Sequence, residues 1–494
     1  MIYNIINTMK LYKVIIILIL GLSFITDSFT GMAQNSQTMY YINRIPQSNQ
    51  MNPAIQPKCN FFFGLPAVSS FQVGIGNNRY TLSDIIMQHP TQDSLITFLH
   101  PDAEFNKSDF LSKLGNNNSF FQDFQTDLLS FGFRVNSWYF SFNLSEKQSL
   151  AVNYPEDLMD FALNGNKNFI YKTTDFSNLR MNANFYREYG IGVAKELNDN
   201  LFIGVRGKIL FGHANIESSH NNTLGFYSSR DSIYFNADAI VNTSSPLIAT
   251  TNTDGDFDGF EVPAYIENAE SDSLIDLAML HQNMGLGIDL GVYYKPLDDV
   301  ALSLSIIDLG YIKWDKDVTN LELKGNYSFK GVDVSDEIGA EESEEDPFEQ
   351  ALDSLENSFT VSNQSSSYTT GLGTKIYLGA SYFVSPKFDV SFLSRSYIYN
   401  NYFNQAFTLS ANVRPINGIS ASLSYSIMNG TYNNIGLGLV LGGAPLQLYI
   451  VTDNVSAALW GHKTSSANFR FGLNIAFGCK HKKNQDKPLL KSTF

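Results

Sequence analysis

The sequence predicts an all-β chain: a transmembrane, antiparallel, up-and-down β-barrel of about 14 strands, within a range of about 12–16, carrying an N-terminal plug segment and long extracellular loops. Three observations predict it. Charged residues make up only 16% of the chain, beside 44% hydrophobic and 14% aromatic residues and 35 glycines, whereas an ordinary soluble domain carries roughly 25% charge. Strict alternation recurs over strand-length stretches. The polar side of that alternation is built from Ser, Gly and Asn rather than Lys and Glu, which suits a confined lumen better than a water-facing sheet.

The chain opens with a leader. Lys10 and Lys13 precede an apolar run from Val14 to Ile25, and Gly31-Met32-Ala33 offers small residues for cleavage, the pattern of a secretory signal peptide over 1–33. The run is too short for the ~18 apolar residues that a spanning helix needs. Residues 34–60 form a stiff entry segment: Pro46, Pro53 and Pro57 fix φ and remove amide donors, so this stretch does not continue a ladder. It is expected to fold into the lumen as a plug, with Asn52, Pro53 and Ala54 in a structural turn rather than a ligand contact.

The barrel is expected over 61–479. Near its end, Ala467, Phe469, Phe471, Leu473, Ile475 and Phe477 alternate with Asn468, Arg470, Gly472, Asn474 and Ala476. Ile419, Ala421, Leu423, Tyr425 and Ile427 alternate with Ser420, Ser422, Ser424 and Ser426, and Ile203, Val205, Ile209 and Phe211 oppose Arg206 and Lys208. Runs of this length match a tilted membrane-spanning strand. Alternation alone also fits a soluble sandwich; the leader and the small polar face favour the membrane. Asn136-Ser137, Asn198-Asp199-Asn200, Pro296 to Asp299, Ser385-Pro386, Asn417-Gly418 and Gly443-Ala444-Pro445 read as tight hairpin joins. An up-and-down order closes the sheet and leaves no edge for lipid to meet.

Three loop insertions break the rhythm, at 84–118, 243–282 and 333–367. The first holds a helix expected at SDFLSKLG, capped by Ser108 and ended by Gly115. The last contains the acidic block from Asp333 to Glu356, with EESEED at 341–346, a solvated repelling run whose eleven acidic residues supply much of the net charge of −15. Long loops belong on the extracellular side. The basic stretch 480–494 is expected as a periplasmic tail.

Several segments resemble known families. MNPA at 51–54, FGLPAVSSFQVGIGN at 63–77, DLLSFGFRVNSWYFSFNLSEK at 127–147, GLGIDLGVYYKP at 285–296, SLSIIDLGYIKW at 303–314 and SFKGVD at 328–333 are similar to a Bacteroidota family of outer-membrane barrels of unknown function. The Asn-Pro-Ala motif and the architecture also resemble FadL-type fatty-acid transporters and the related type IX secretion shuttle barrels. That resemblance implies an N-terminal hatch inside the barrel.

The remaining chemistry is sparse. Asp254, Asp256 and Asp258, with Gly259 sixth, mimic the start of a calcium loop, but Tyr265 stands where an EF-hand needs Glu; Ca²⁺ is the one cofactor weighed, and an acidic turn is the commoner meaning. The seven histidines show no metal spacing. Arg134, Arg206, Lys208, Asp289 and Arg470 point inward by parity, as does Asp308, whose carboxylate sits between apolar neighbours that would face lipid. IDLG occurs at 288–291 and 307–310, and a buried carboxylate needs a partner, so Asp289 or Asp308 is expected against a lumen Arg, either bracing the wall and the plug or steering a polar head group. Cys59 and Cys479 lie at the same rim of the first and last strands, as a seam disulfide or as two free thiols.

The expectation is an integral outer-membrane protein, not an enzyme, that transports or binds a small hydrophobic or amphipathic molecule in a FadL-like manner. Its partners are lipid and lipopolysaccharide, the barrel assembly machinery and that ligand, with no nucleic acid. The alternatives are a scaffold of a surface or secretion apparatus and, remotely, an outer-membrane hydrolase.

Overall fold

The structure, a computed structural model, describes residues 37–42, 45–57, 59–103, 105–245, 248–251, 257–261, 282–329, 359–400, 402–416, 418–428 and 431–479. The leader 1–33, Asp254, Asp256, the acidic run and the basic tail fall outside these residues; of Asp258 only the backbone, within Phe257–Glu261, is described.

Fourteen antiparallel strands close on themselves. They are β1 (Phe61–Gly64, resuming as Phe71–Asn77), β2 (Asn118–Val135), β3 (Trp138–Tyr154), β4 (Arg180–Asn198), β5 (Leu201–Ser218), β6 (Met284–Leu297) and β7 (Val300–Trp314). Then follow β8 (Tyr368–Gly371 and Thr374–Ser385), β9 (Phe388–Tyr399), β10 (Tyr402–Ile416), β11 (Ile419–Met428), β12 (Thr431–Gly442), β13 (Leu446–Thr452) and β14 (Ser466–Phe477). Each pairs with its neighbours in sequence, and β14 returns to β1 through Phe61↔Phe477 and Phe71↔Phe471. Closure removes both sheet edges.

Parity sorts the side chains as the alternation requires. On β11, Leu423 and Tyr425 are exposed on the outer face while Ser420, Ser422, Ser424 and Ser426 are buried in the lumen. Ile191, Ile209, Leu309, Leu409, Ile435 and Phe469 extend the apolar outer face around the wall. β4 has 19 residues and β2 has 18, well beyond the ~9–11 that a tilted strand needs to cross a bilayer, so the early strands run on past the apolar band.

All six tight joins read from sequence fall at one end of the barrel, at 136–137, 199–200, 298–299, 386–387, 417–418 and 443–445. Cys59 and Cys479 meet at this rim in a disulfide spanning 420 residues of chain. On the chain-entropy account a loop of that length puts the bond just beyond the upper end of the usual range, about 6 kcal/mol.

The opposite end carries the long connections. The first holds a hairpin (Ile86–Gln88 with Leu95–Thr97) and α1 (Lys107–Lys113). The cap of α1 is Asn106 rather than Ser108: its side chain accepts N–H from Ser108 at 2.9 Å and Asp109 at 3.3 Å, and Asp109 returns a bond to the Asn106 amide. The sequence reading placed the start late because it took the first Ser before the apolar run, whereas a full capping box needs the Asn one turn from Asp109. A second long connection, containing α2 (Glu156–Asn164), was not anticipated. The expected insertion at 243–282 contains the strands Ile248–Thr251 and Phe257–Glu261, and that at 333–367 contains Phe359–Gln364. Thr223–Ser228, Ile233–Ser244, Val318–Phe329 and Phe359–Gln364 form a paired arm continuing from β5.

The cap at this end carries one titration switch. Asp84 accepts from Lys113 Nζ at 2.6 Å and from the Thr81 amide and hydroxyl at 2.7 and 2.9 Å. Burial alone would raise its pKa; the bonds from Lys113 and Thr81 outweigh burial and hold it below the ordinary aspartate value. A depressed folded pKa contributes stability above the unfolded value of about 3.9 and loses it as pH falls through the folded value. Hydrogen-exchange protection of residues 81–113 should therefore be flat from pH 7 to about 5 and drop below about 4. Because Lys113 is substantially exposed, the change should stay under about 1 kcal/mol. Asp84→Asn should remove the pH dependence; an unchanged profile in that variant would assign it to other groups.

Candidate functional site

Residues 37–42 and 45–57 thread the lumen. Two short 3₁₀ turns, Gln37–Tyr41 and Pro46–Gln50, keep the segment compact, and Pro46 at the first position of the second turn costs no hydrogen bond. At the upper end, the Asp453 carboxylate accepts the amides of Gln37 and Thr38, both at 2.9 Å, the Thr38 hydroxyl at 2.5 Å and Asn468 Nδ2 at 2.8 Å. At the short-turn rim, Arg134 donates to Gln56 Oε1 and to the Pro57 carbonyl at 2.9 Å. Midway, Arg470 donates to Gln50 Oε1 at 2.9 Å, and Gln47 and Asn474 exchange amide bonds. Met39, Tyr40, Ile42, Ile45, Met51 and Ile55 pack on Ile307, Leu393, Val440 and Val451 of the wall. At about 1.5–3 kcal/mol for each large apolar side chain buried, packing outweighs any one of the polar anchors. The lumen at this level is therefore not lined by small polar groups alone.

Asn-Pro-Ala now has a local cause. Asn52 Oδ1 accepts the Ala54 amide at 3.0 Å, an Asx turn with Pro53 at its corner, while Asn52 Nδ2 donates to Tyr40 Oη at 3.0 Å. The turn lies against two facing glycines. A Cβ on Gly204 of β5 would sit 2.3 Å from the Pro53 carbonyl, and one on Gly291 of β6 would sit 2.2 Å from Asn52 Oδ1. Gly436 and Gly438 of β12 stand in the same relation to Thr38 and Ile42. Small inward residues here admit the plug.

The six charged lumen candidates divide in two. Arg134 and Arg470 hold the plug. Arg206, Lys208, Asp289 and Asp308 join Lys147, Glu188 and Lys375 in a buried lattice of four cations and three carboxylates. Arg206 bridges Glu188 and Asp289, the latter at 3.0 Å. Lys208 reaches Asp289 at 2.6 Å and Asp308 at 2.5 Å; Lys147 reaches Glu188 and Lys375 reaches Asp308, each at 2.6 Å. Asp308 faces inward because β7 bulges there: Ile288 pairs with Leu309 and Leu290 with Ile306. Asp308 takes a left-handed φ of 61° and its amide donates to Asp289 Oδ1 at 2.7 Å. The bulge lets Ile307 and Asp308 both enter the lumen. Lys147 and Glu188 were missed from sequence, since β3 and β4 were not followed to their full lengths, and Lys375 because it stands at the start of the second half of β8; strict parity carried from Trp138 to Lys147 would have found the first.

β1 is interrupted. Between the pairs Gly64↔Asn474 and Phe71↔Phe471 lie residues 65–70 on β1 and only 472–473 on β14. Leu65-Pro66-Ala67-Val68 bows out, with Ala67 at φ 60°. The ladder is rejoined on both sides, by Leu473 N to Val68 O at 2.9 Å and Ala67 N to Asp127 O at 2.9 Å.

Above the plug lies a cavity of about 130 Å³. Plug residues Gln50 and Met51 contribute to its lining, with Lys147, Asp308 and Lys375 of the lattice and the rings of Tyr186, Tyr397 and Tyr399. A trio that sequence spacing did not reveal, His89, His100 and Asp102, gathers in the cap with ligand atoms within 4.8 Å of one another. It is poorly arranged for a metal. His89 Nδ1 accepts the amides of Thr91 and Gln92 at 3.1 and 3.2 Å, and His100 Nδ1 accepts that of Asp102 at 3.2 Å. Each neutral ring then carries its proton on Nε2 and has no lone pair free there.

The fold and its occupied lumen define a plugged fourteen-strand barrel. The chain belongs to a family of unknown function, DUF5723, whose profile matches residues 53–453. No curated protein sequence matches it. Similar solved barrels include a Pseudomonas aeruginosa FadL homologue, at 10% identity over 91% of this chain and 99% of that chain (TM-score 0.39). The Pseudomonas putida toluene transporter TodX is 11% identical over 87% and 93% (TM-score 0.34), and the Ralstonia pickettii toluene transporter TbuX 9% identical over 88% and 94% (TM-score 0.35). Scores of this size establish no functional relationship; the barrel itself rests on the strand pairing above.

Proposed function

We propose that this chain is an outer-membrane barrel that takes up a small amphipathic molecule from its long-loop side and passes it by displacing or rearranging the plug. The observation that carries the reading is the cavity above the plug: residues 50 and 51 form part of the receiving surface, so an occupant would touch the element that blocks the path. The apolar outer face supports insertion in lipid, the leader pattern supports export, and long loops face outward in such barrels. The outward bow of β1 at 65–68 interrupts the regular ladder and marks the place for lateral release. No catalytic step is assigned.

A scaffold role is the second reading. It is favoured by the filled lumen and by the arm of strands beyond the barrel, which offers a folded surface to a partner. Planar-bilayer recordings separate the two. Wild type should be nearly closed, and deletion of residues 37–57 should give discrete, long-lived conductance steps. Equally silent records from wild type and a correctly folded deletion variant would sink the transport reading.

A further inference from the structure

The ion lattice carries one positive charge more than its own carboxylates answer, and that surplus is not spread evenly. Asp308 alone is shared by three ammoniums, Lys208 at 2.5 Å, Lys375 at 2.6 Å and Lys147 at 3.8 Å. Lys208 and Arg206 are sealed in the wall, with side chains 0% and 3% exposed, whereas those of Lys147 and Lys375 are 16% and 14% exposed. Lys147 shares strand parity with buried Ser145, and Lys375 with buried Tyr377. Both therefore point into the lumen, and both line the cavity above the plug. An ammonium has three N–H donors; Lys147 gives one to Glu188 and Lys375 one to Asp308, each at 2.6 Å. The charged residues around the cavity repeat the imbalance: Lys147, Lys375 and Arg470 stand against Asp123 and Asp308. Arg470 gives its hydrogen bonds to the neutral Gln50, Ser70 and Gln72.

We infer that this cavity binds a compact oxyanion of phosphate or acetate size between Lys147 and Lys375, free or as the head group of a longer molecule. The inference rests on the reading of the cavity as the receiving site and names the charged end of what is received. A buried charge is costly without a partner, and a monoanion here brings the lattice to neutrality. Ammoniums are point charges with rotatable donors, which suits oxyanion binding without the fixed geometry that an Arg fork imposes. Size agrees. An engineered cavity of about 150 Å³ holds benzene; this one, at about 130 Å³, admits phosphate or acetate, each smaller than benzene, and excludes a whole sugar ring. An uncharged apolar occupant would leave the surplus charge unanswered.

The test uses the full-length protein in an uncharged maltoside detergent at low ionic strength. Calorimetric titrations with inorganic phosphate and acetate probe the free ions, those with butyl phosphate and hexanoate the head-group case, and toluene is the uncharged competitor. At least one oxyanion should bind saturably and resist displacement by toluene. Binding of the small ions marks a site for free anions; binding confined to the longer pair marks a head-group site. Lys147→Met and Lys375→Met should each weaken binding about tenfold or more, the loss of one charge-assisted hydrogen bond. Lys375→Met also balances the lattice, and Asp308 keeps Lys208. Without added anion its melting temperature should therefore equal or exceed that of wild type, whereas the loss of a merely structural lysine would lower it. The bound anion should raise the melting temperature of wild type and leave that of Lys375→Met unmoved. No binding of any oxyanion, displacement by toluene, binding unchanged by either substitution, or a lowered melting temperature of anion-free Lys375→Met would overturn the inference. Binding is read without conductance. A barrel that binds the anion yet stays silent would refute passage and leave the site standing, and one that conducts without binding would do the reverse.

Discussion

Gly204→Leu should unseat the plug and open the barrel, whereas Gly207→Leu, three residues along the same strand, should do neither. At Gly204 the added Cβ would lie 2.3 Å from both the carbonyl carbon and oxygen of Pro53 and 2.5 Å from the Ala54 amide. All three are backbone atoms of a turn held by Asn52, so no rotamer change relieves the overlap. At Gly207 nothing lies within 4 Å, and parity turns that position to the outer face. Overpacking of a tight contact costs about 1–3 kcal/mol. The expected response is local release of the Asn52–Ala54 turn, because the wall at this point is tied into β4 and β6 by regular ladders. Bilayer recordings of Gly204→Leu should show conductance steps approaching those of the plug deletion, and those of Gly207→Leu should match wild type. Equal, closed records from both variants, with both barrels folded, would mean that the seat is not what holds the plug. Gly291→Leu, whose Cβ would meet the same turn from β6, should repeat the Gly204 result.

The contrast between these two glycines shows what could be read from the chain and what could not. Strand parity is local, so the inward serines of β11, the outward rings of β14 and all six tight joins were legible from alternation and turn residues. The approach of Cys59 to Cys479 followed from closure, because the first and last strands of any up-and-down barrel are neighbours. The reason for Gly204 was not legible: it lies in Pro53, about 150 residues away, and a glycine in a strand reads the same whether it faces a void or a plug. Asp453 was missed for a related cause. It follows β13 at a loop, where parity stops, and its partners come from the opposite end of the chain. Asp308 was placed inward on the strength of its apolar neighbours. That placement is right only because of a bulge, and a bulge depends on cross-strand register, which no single strand encodes. The histidines of the cap were dismissed on spacing, yet the fold brings His89 to His100 through a hairpin.

The lattice gives the second large effect. Glu188→Leu should destabilise the barrel by about 3–5 kcal/mol, the cost of removing one partner from a buried ion pair, and Lys147→Met combined with Glu188→Leu should recover most of that loss. Glu188 is fully buried and meets Lys147 at 2.6 Å, Arg206, and Lys208 at 3.6 Å. With four cations against three carboxylates, the lattice carries one surplus positive charge. Deleting Glu188 alone raises the surplus to two in a site that water hardly reaches; deleting Lys147 with it restores one. Arg206 keeps Asp289, and Lys208 keeps Asp289 and Asp308, so no cation is stranded in the double variant. Attraction among buried charges barely offsets their desolvation, which is why the balanced apolar replacement should be tolerated where the unbalanced one is not. Urea midpoints in detergent for the two single variants and the double complete the cycle. A double variant as unstable as Glu188→Leu would show that Glu188 is needed for its shape and its bond from Asn143 rather than for its charge.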